Sequence, residues 1–274
     1  MAFSDSLLGR VVEVIKVNSE SWIVIPARYQ ARRFPGKPLA LLHGRPMVAW
    51  VLEACRASSQ AQEVVVATDD QQIAEVVQGC GGRVEMTAVH HRSGTERLAE
   101  IALRYPEVKW FVNVQGDEPG IDPQLIDRVI NLLVERDNPD LIVSAAATLQ
   151  NSDDYLSPHV VKVVVDLKGK ALYFSRSPIP CYQDKSLGVR ALQEGHSGVL
   201  QHLGIYGYSG SFLRNLNCQQ PGVLAAVENL EQLNWLENGF PMEILPCTSP
   251  WSGIDTPEEL ERFASKWTGP IGEK

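Results

Sequence analysis

Residues 22–38, Trp-Ile-Val-Ile-Pro-Ala-Arg-Tyr-Gln-Ala-Arg-Arg-Phe-Pro-Gly-Lys-Pro, constrain the fold more than any other stretch. They begin as a short apolar, β-branched run, Trp22 to Ile25, of the kind that forms a strand buried on both faces. Pro26 has no N–H to donate and is expected to end the ladder. The loop that follows carries Arg28, Arg32, Arg33 and Lys37, with Arg45 a little further on, and no Asp or Glu occurs from Ser21 to Leu52. The whole chain has a formal charge of −8, so these cations run against their background. Pro26, Pro35, Gly36 and Pro38 restrict the path of the loop, which a merely solvated loop does not need. At the carboxyl end of a strand such a loop stands where open α/β sheets bind ligands. Guanidinium groups that grip oxygens in pairs, and an ammonium acting as a point charge, suit a polyphosphate.

Beyond this loop, strand-like and helix-like segments alternate, the pattern of an α/β fold with a mostly parallel sheet. Pro46 opens a helix over Met47–Ala57. A strand at Val64–Ala67 leads through Thr68-Asp-Asp70, where a carboxylate or the threonine caps a helix over Gln71–Gln78. A short strand near Val84 precedes a helix over Thr95–Arg104, with Ser93 and Glu96 spaced as a capping box. Trp110–Val114 is the central strand, followed by a helix from Pro123 and a strand over Leu141–Ala147. Val160–Val165 and Ala171–Phe174 read as a hairpin. Residues 181–201 read as a mobile connection, Ile205–Tyr208 as a strand, and Ala226–Glu237 and Pro257–Lys266 as helices. A break near Ser152 separates two halves, about 21–150 and about 151–270, of what reads as one domain after an extension over residues 1–20.

A chain of 274 residues can bury a sizeable core. Its acidic balance argues against nonspecific nucleic-acid binding, which needs a basic face. The five cysteines, Cys55, Cys80, Cys181, Cys218 and Cys247, are scattered and odd in number. No spacing among them suggests a metal, and reduced thiols in a cytoplasmic protein are expected. No apolar run approaches the ~20 residues that cross a bilayer, so no membrane insertion is expected. Glu13 and Lys16 interrupt the only apolar stretch near the start, which is not a secretory signal.

Four further constellations carry chemistry. In Asn113-Val-Gln-Gly-Asp-Glu-Pro119, Asp117 follows the central strand and shares a rim with the basic loop. A carboxylate beside a polyphosphate needs a divalent cation between them, and Mg²⁺ takes one or two carboxylates with phosphate oxygens and water; the alternative is an ordinary turn aspartate. Gly253-Ile-Asp-Thr-Pro-Glu-Glu-Leu260 has the form of a capped helix start, with Asp255 or Thr256 before Pro257. His91-Arg-Ser-Gly-Thr-Glu-Arg97 puts small residues before a helix N-terminus, where amides approach a partly negative group. There Ser93 is a ligand contact or only a cap, and Arg97 a ligand contact or a surface residue paired with Glu96 or Glu100. In the second half, Tyr173–Pro180, His202–Tyr208 and Glu228–Asn234 offer Arg176, His202, Tyr206, Glu231 and Gln232. That inventory suits an acidic, polyhydroxylated sugar, against a reading of Tyr206 as core and Glu231 as a solvated helix residue.

These motifs together resemble the sugar-activating cytidylyltransferases, and most closely the 3-deoxy-manno-octulosonate (Kdo) cytidylyltransferases, over nearly all of Trp22 to Phe263. The resemblance implies a Rossmann-like nucleotidyltransferase sheet with helices on both faces and a smaller mixed-sheet portion for sugar binding and dimerisation. It places the nucleotide against Pro26, Ala27, Arg28, Arg33, Lys37, Ser93, Gly94, Arg97 and Gln115. Arg28, Arg33, Lys37 and Asp117 are the implied catalytic residues. Asp117 and Asp255 are the implied ligands of Mg²⁺, and Arg176, His202, Tyr206, Glu231 and Gln232 the implied sugar contacts. The implied reaction is CTP + Kdo → CMP-Kdo + diphosphate, which supplies lipopolysaccharide biosynthesis, in a homodimer. Two departures stand out: Arg92 where the family has Gln, and Asn234 where it has Arg. Alternative readings are a relative that activates another 2-keto acid sugar, such as an amino-Kdo or a sialic acid, and a catalytically silent nucleotide-binding subunit.

Overall fold

A computed structural model of the chain describes residues 20–30, 33–149, 151–184, 198–248 and 253–267. β1 (Ser21–Ala27) is buried along its whole length, and its side chains alternate between two cores, as a period of two requires. Ile23, Ile25 and Ala27 join the cluster on one side of the sheet, Trp22 and Val24 the cluster on the other. With apolar neighbours on both faces there is no reason to alternate with polar residues, hence the unbroken apolar run.

The chain continues through a short 3-10 turn at Lys37–Leu39, a small hairpin of β2 (Leu41–Leu42) and β3 (Arg45–Pro46), and α1 (Met47–Arg56). Next come β4 (Glu63–Thr68), α2 (Gln71–Gly79), β5 (Arg83–Met86) and α3 (Gly94–Arg104). β6 (Trp110–Asn113), α4 (Pro123–Arg136), β7 (Ile142–Thr148) and α5 (Ser152–Leu156) complete the first half and its exit. The second half has the hairpin β8 (Lys162–Val165) and β9 (Ala171–Ser175), then β10 (Leu200–Ser209), α6 (Gly210–Arg214) and α7 (Val223–Glu228). α8 (Glu231–Glu237), β11 (Met242–Cys247) and α9 (Pro257–Lys266) end it.

The main sheet runs β11-β7-β10-β6-β1-β4-β5, with β8 paired to β10 and β9 to β8. β10 is antiparallel to both of its neighbours β6 and β7, while the remaining pairings along that path are parallel. β10 therefore inserts a second-half strand into the middle of the first half's sheet. α1, α2 and α4 cover one face, α3, α6 and α8 the other. The chain winds from β1 outward to β4 and β5, then lays β6 on the opposite side of β1. This reversal sets the carboxyl ends of β1 and β6 at a topological switch point.

The structure corrects the expected path in several places. β1 does not stop at Pro26 but pairs on with β4 through Pro26–Ala67 and Ala27–Thr68. On the other side, β6 pairs only as far as Val24, whose carbonyl accepts from Val114 N–H at 3.2 Å. Backbone groups two residues apart on a strand face the same way, so the donor that Pro26 lacks points where β6 has already ended. The helix expected over Ala226–Glu237 is two. Asn229 takes φ 52° and ψ 53° as the left-handed C-cap of α7, and Leu230 is extended before α8, a conformation asparagine tolerates better than most residues. Ser93 caps α3 by accepting from Glu96 N–H, but the Glu96 carboxylate turns to Arg92 N–H at 2.7 Å, so only half of the capping box forms. β10 starts at Leu200, before the expected Ile205. The extension over residues 1–20, apart from Glu20, lies outside the described residues, as do Arg32 and most of 181–201.

Candidate active site at the switch point

The basic loop is closed by its own backbone. Gly36 N–H donates to Tyr29 O at 2.8 Å, and Gly36 holds φ +72°, where a Cβ would also lie 3.2 Å from the Tyr29 ring. The 3-10 turn that follows buries Pro38 and presents Lys37 to the rim. The Lys37 ammonium donates to Asp117 Oδ2 and, at 3.0 Å, to Asp255 Oδ1. Arg33 Nη2 holds the other oxygen of Asp255 at 2.5 Å. Burial on its own would lower the Lys37 pKa, but the charge and hydrogen bond of Asp117, then those of Asp255, reverse this and hold it above its ordinary value. Lys37 is a cation here at any physiological pH.

Asp255 owes its freedom to its neighbour. Thr256 is the N-cap of α9 in a full capping box with Glu259, and Pro257 opens the helix. Glu259 accepts from the Asp255 N–H at 2.7 Å, and Ile254 N–H donates to Asp117 O at 2.9 Å. The backbone is thereby fixed against the Asp117 turn, while the Asp255 carboxylate takes no part in the cap. The same division occurs after β4: Asp70 caps α2, leaving Asp69 to pair with Arg97 Nη2 at 3.3 Å. Arg97 is buried and also donates to Thr87 Oγ1, so it is neither a surface residue nor a partner of Glu96 or Glu100. Read from sequence as a candidate cap, Asp69 was missed as the anchor of Arg97.

The head of α3 closes the other wall. A Cβ on Gly94 would come 3.0 Å from Pro26 Cγ, and one on Gly116 3.0 Å from Pro26 O. A side chain at either position would therefore be tight where β1, α3 and the turn after β6 meet. Between these walls lies a cleft of about 960 Å³. Its lining contains every residue that the sequence assigned to nucleotide, catalysis or metal: Pro26, Ala27, Arg28, Arg33, Lys37, Ser93, Gly94, Arg97, Gln115, Asp117 and Asp255. Tyr29, Phe34, His91 and Asn229 line it as well. Among the described residues Arg28 is exposed and has no ion-pair partner, which leaves its charge for a ligand.

None of the five residues assigned to the sugar is among the described residues lining the cleft; they stand behind its wall. Glu231 accepts from Ser93 Oγ and Thr95 Oγ1, both at 2.9 Å. Burial pushes its carboxyl up, with the two hydroxyls pulling the other way. His202 lies 3.0 Å from Ser144 Oγ and 3.5 Å from Gln232 Nε2, in ring contact with Phe174 and Tyr206. Burial lowers its pKa to about 3, so the ring is neutral. Tyr206 also meets Trp235 edge-on. Arg176 spends its guanidinium on the carbonyls of Glu228 at 2.9 Å, Pro158 at 3.0 Å and Asn229 at 3.4 Å. It reaches the cleft only through Asn229.

Two further residues belong to this region. Lys162 is wholly buried and donates to the carbonyls of Arg176, Val160 and Ser157 at 2.6, 2.7 and 2.8 Å. One lysine in an otherwise apolar strand was the signal for it. Glu228 accepts from Ser175 Oγ at 2.6 Å and Arg176 N–H at 3.0 Å. The departures are local: Arg92 pairs with Glu96 in solvent, and Asn234 holds the turn before α7 by accepting from Gly222 N–H at 2.6 Å.

Among the described residues no group of three or more His, Cys, Asp or Glu gathers to hold a metal. Asp117 and Asp255 alone converge, since both reach the same lysine nitrogen. Two carboxylates on one point beside a cationic cleft fit a hard divalent ion that completes its shell with phosphate oxygens and water.

The profile of the Cytidylyltransferase family matches residues 22–244. The 3-deoxy-manno-octulosonate cytidylyltransferase of Geobacter sulfurreducens is 45% identical over 246 residues, 89% of this chain and 97% of the relative. That of Leptospira biflexa serovar Patoc is 42% identical over 238 residues, 87% and 92% of the two chains. Among solved structures, CMP:2-keto-3-deoxy-manno-octonic acid synthetase complexed with CTP superposes with a TM-score of 0.82 at 35% identity, covering 90% of this chain and 98% of that one. A cytidylyltransferase from Leptospira borgpetersenii serovar Hardjo-bovis gives a TM-score of 0.60 at 17% identity, covering 90% and 86%, and bears on the fold alone.

Proposed function

The chain belongs to the family of 3-deoxy-manno-octulosonate cytidylyltransferases, and we propose that it carries out the reaction of that name, CMP transfer from CTP to Kdo. The 2-hydroxyl oxygen of the sugar bonds to the α-phosphorus, the bridge to the β-phosphate breaks, diphosphate leaves with the bonding electrons, and the hydroxyl proton passes to solvent. The observation that carries this reading is the meeting of Arg28, Arg33 and Lys37 with Asp117 and Asp255 on one cleft. Such a site offers charge neutralisation and positioning rather than a nucleophile. Among the described residues lining the cleft, His91 and Ser93 have no base–nucleophile pairing with each other: His91 meets Glu100 and Ser93 donates to Glu231.

Arg28, Arg33 and Lys37 would meet the triphosphate, with the charge on the departing diphosphate as their main partner. The head of α3, where Ser93 and Gly94 approach the cleft, would receive the cytidine. Gln115 and Arg97 complete that wall, Arg97 held by Asp69. Asp117 and Asp255 would hold Mg²⁺, which when bound neutralises phosphate charge and makes the sugar hydroxyl more acidic. Arg176, His202, Tyr206, Glu231 and Gln232 would take the sugar, Arg176 its carboxylate. His202 contributes as a neutral donor or acceptor, its charged form being disfavoured by burial.

The division into a CTP half and a sugar half belongs to the same reading, as do a cytoplasmic location and a homodimer. No described helix is long and apolar enough to cross a membrane. For the dimer, Leu172 on the edge strand β9 and Val223, Leu224 and Val227 on α7 are exposed apolar residues in the second half. The test of the reaction is CTP labelled at its α-phosphorus: the label is expected in a Kdo-containing product, in step with diphosphate release. Label appearing only in free CMP would make the chain a CTP hydrolase instead.

A further inference from the structure

Asp117 lies in the first half of the chain and Asp255 near its end, yet both turn a carboxylate oxygen onto one atom, Lys37 Nζ. The point they share is filled by the chain's own ammonium, and a cation that takes those two oxygens has to displace it. We propose that Lys37 is a resident competitor for the metal position, released when the phosphates of a nucleotide give it another anionic partner. The inference rests on the reading of Asp117 and Asp255 as a metal pair. It goes beyond that reading by making metal binding conditional on the nucleotide.

Three observations support it. The side chains of Lys37 and Asp117 are 16% and 18% exposed, so their attraction is little screened by solvent. The backbone under Lys37 is fixed by Gly36, by buried Pro38 and by the 3-10 turn, so the four-carbon stem is the part free to move. The cleft into which it would move is the one lined by Arg28 and Arg33, where a polyphosphate would lie. Arg33 is the weaker candidate for the competitor, because its side chain is 59% exposed and, of the two carboxylates, it pairs among the described residues with Asp255.

The consequence is a linkage. Without nucleotide, the affinity for a divalent ion is reduced by the fraction of molecules in which Lys37 has withdrawn. With nucleotide, that penalty disappears, and by reciprocity the ion tightens the nucleotide by the same factor.

The experiment is Mn²⁺ titration of the full chain without nucleotide, read from the electron paramagnetic resonance signal of the free ion, on wild type, Lys37→Met and Asp117→Asn. Lys37→Met is expected to bind Mn²⁺ about tenfold more tightly than wild type, and Asp117→Asn to lose the site. If Lys37→Met is no tighter while Asp117→Asn still loses the ion, the metal pair stands and the competitor role is overturned. If Asp117→Asn binds as well as wild type, the metal pair fails and the proposal with it. A second measurement needs no variant: acetylation of Lys37 in wild type, followed by peptide mass spectrometry. Saturating Mn²⁺ is expected to speed labelling of Lys37 as the ion expels it from between the carboxylates, and an unchanged rate would overturn the proposal.

Discussion

Glu231 on α8 accepts a 2.9 Å hydrogen bond from Ser93 at the head of α3, across 138 positions of sequence. Thr95 donates to its other oxygen. This one carboxylate fastens the second half of the chain to the element that closes one wall of the cleft. It can do so because α7 breaks at Asn229, which turns Glu228 back to β9 and Glu231 forward to α3.

Glu231 as a residue is exposed, but its carboxylate is turned inward onto Ser93 and Thr95, and loss of water around it raises its pKa from an ordinary value of 4.5. A carboxyl raised in the folded chain binds its proton more tightly folded than unfolded, so stability falls as pH rises through the window that opens at 4.5. Glu231→Gln has no such proton. Its melting temperature relative to wild type is expected to improve as pH rises above 4.5 and then to level off. Parallel thermal melts check this; a difference that does not change with pH would mean that the carboxyl is not perturbed.

Asp117→Ala and Asp255→Ala are each expected to fold and to lose most turnover, because on the proposed reading either would leave a bound Mg²⁺ short of a ligand. The double variant is expected to be little worse than the singles, since groups that act as a unit are not additive. Steady-state kinetics at saturating Mg²⁺ decide it. Near-full activity in Asp255→Ala would reduce the Asp255 segment to a helix start and nothing more.

How much of this was legible in the sequence follows from what each signal depends on. Trp22–Ile25 announced a doubly buried strand because its surroundings demand apolar residues on both faces. The basic loop was legible because it lacks a single acid to neutralise it locally. Which of two adjacent capping residues caps was not legible: Asp255 or Thr256, Asp69 or Asp70. That choice is made by backbone angles, and it decides which carboxylate remains for Lys37 or for Arg97. The break at Asn229 was missed because Ala226–Glu237 keeps helical composition straight through it. Lys162 was marked as unusual by standing in an otherwise apolar strand, but its three partners are carbonyls, which carry no sequence signature, so its role was not legible.

Thr256→Ala separates the cap from the ligand. Loss of an N-cap costs about 0.5–2 kcal/mol, so denaturant unfolding is expected to show a drop of that size. Asp255→Asn keeps the cap and is expected to change stability by no more than about 0.5 kcal/mol while losing turnover. If the two variants swapped these signatures, Asp255 would be the cap and Thr256 the functional residue.

Arg176→Ala is expected to weaken Kdo by about 2–5 kcal/mol, the range for removing one partner of a buried charged pair, with the KM for CTP unchanged. Because the guanidinium also ties the carbonyls of Pro158, Glu228 and Asn229, some stability is expected to go with it. Gln232→Ala, which removes only neutral hydrogen bonds, is expected to cost about 0.5–1.5 kcal/mol. Kdo titrations at saturating CTP read both. An Arg176→Ala protein with lower stability and an unchanged Kdo dependence would make Arg176 a strut and not a sugar contact.

The most direct test of the whole account is diphosphate release from each of the four nucleoside triphosphates, with and without Kdo. Release is expected from CTP, and only when Kdo is present, because on this reading the hydroxyl of the sugar is the nucleophile. Equal release from ATP, GTP or UTP, or release from CTP that ignores Kdo, would contradict it.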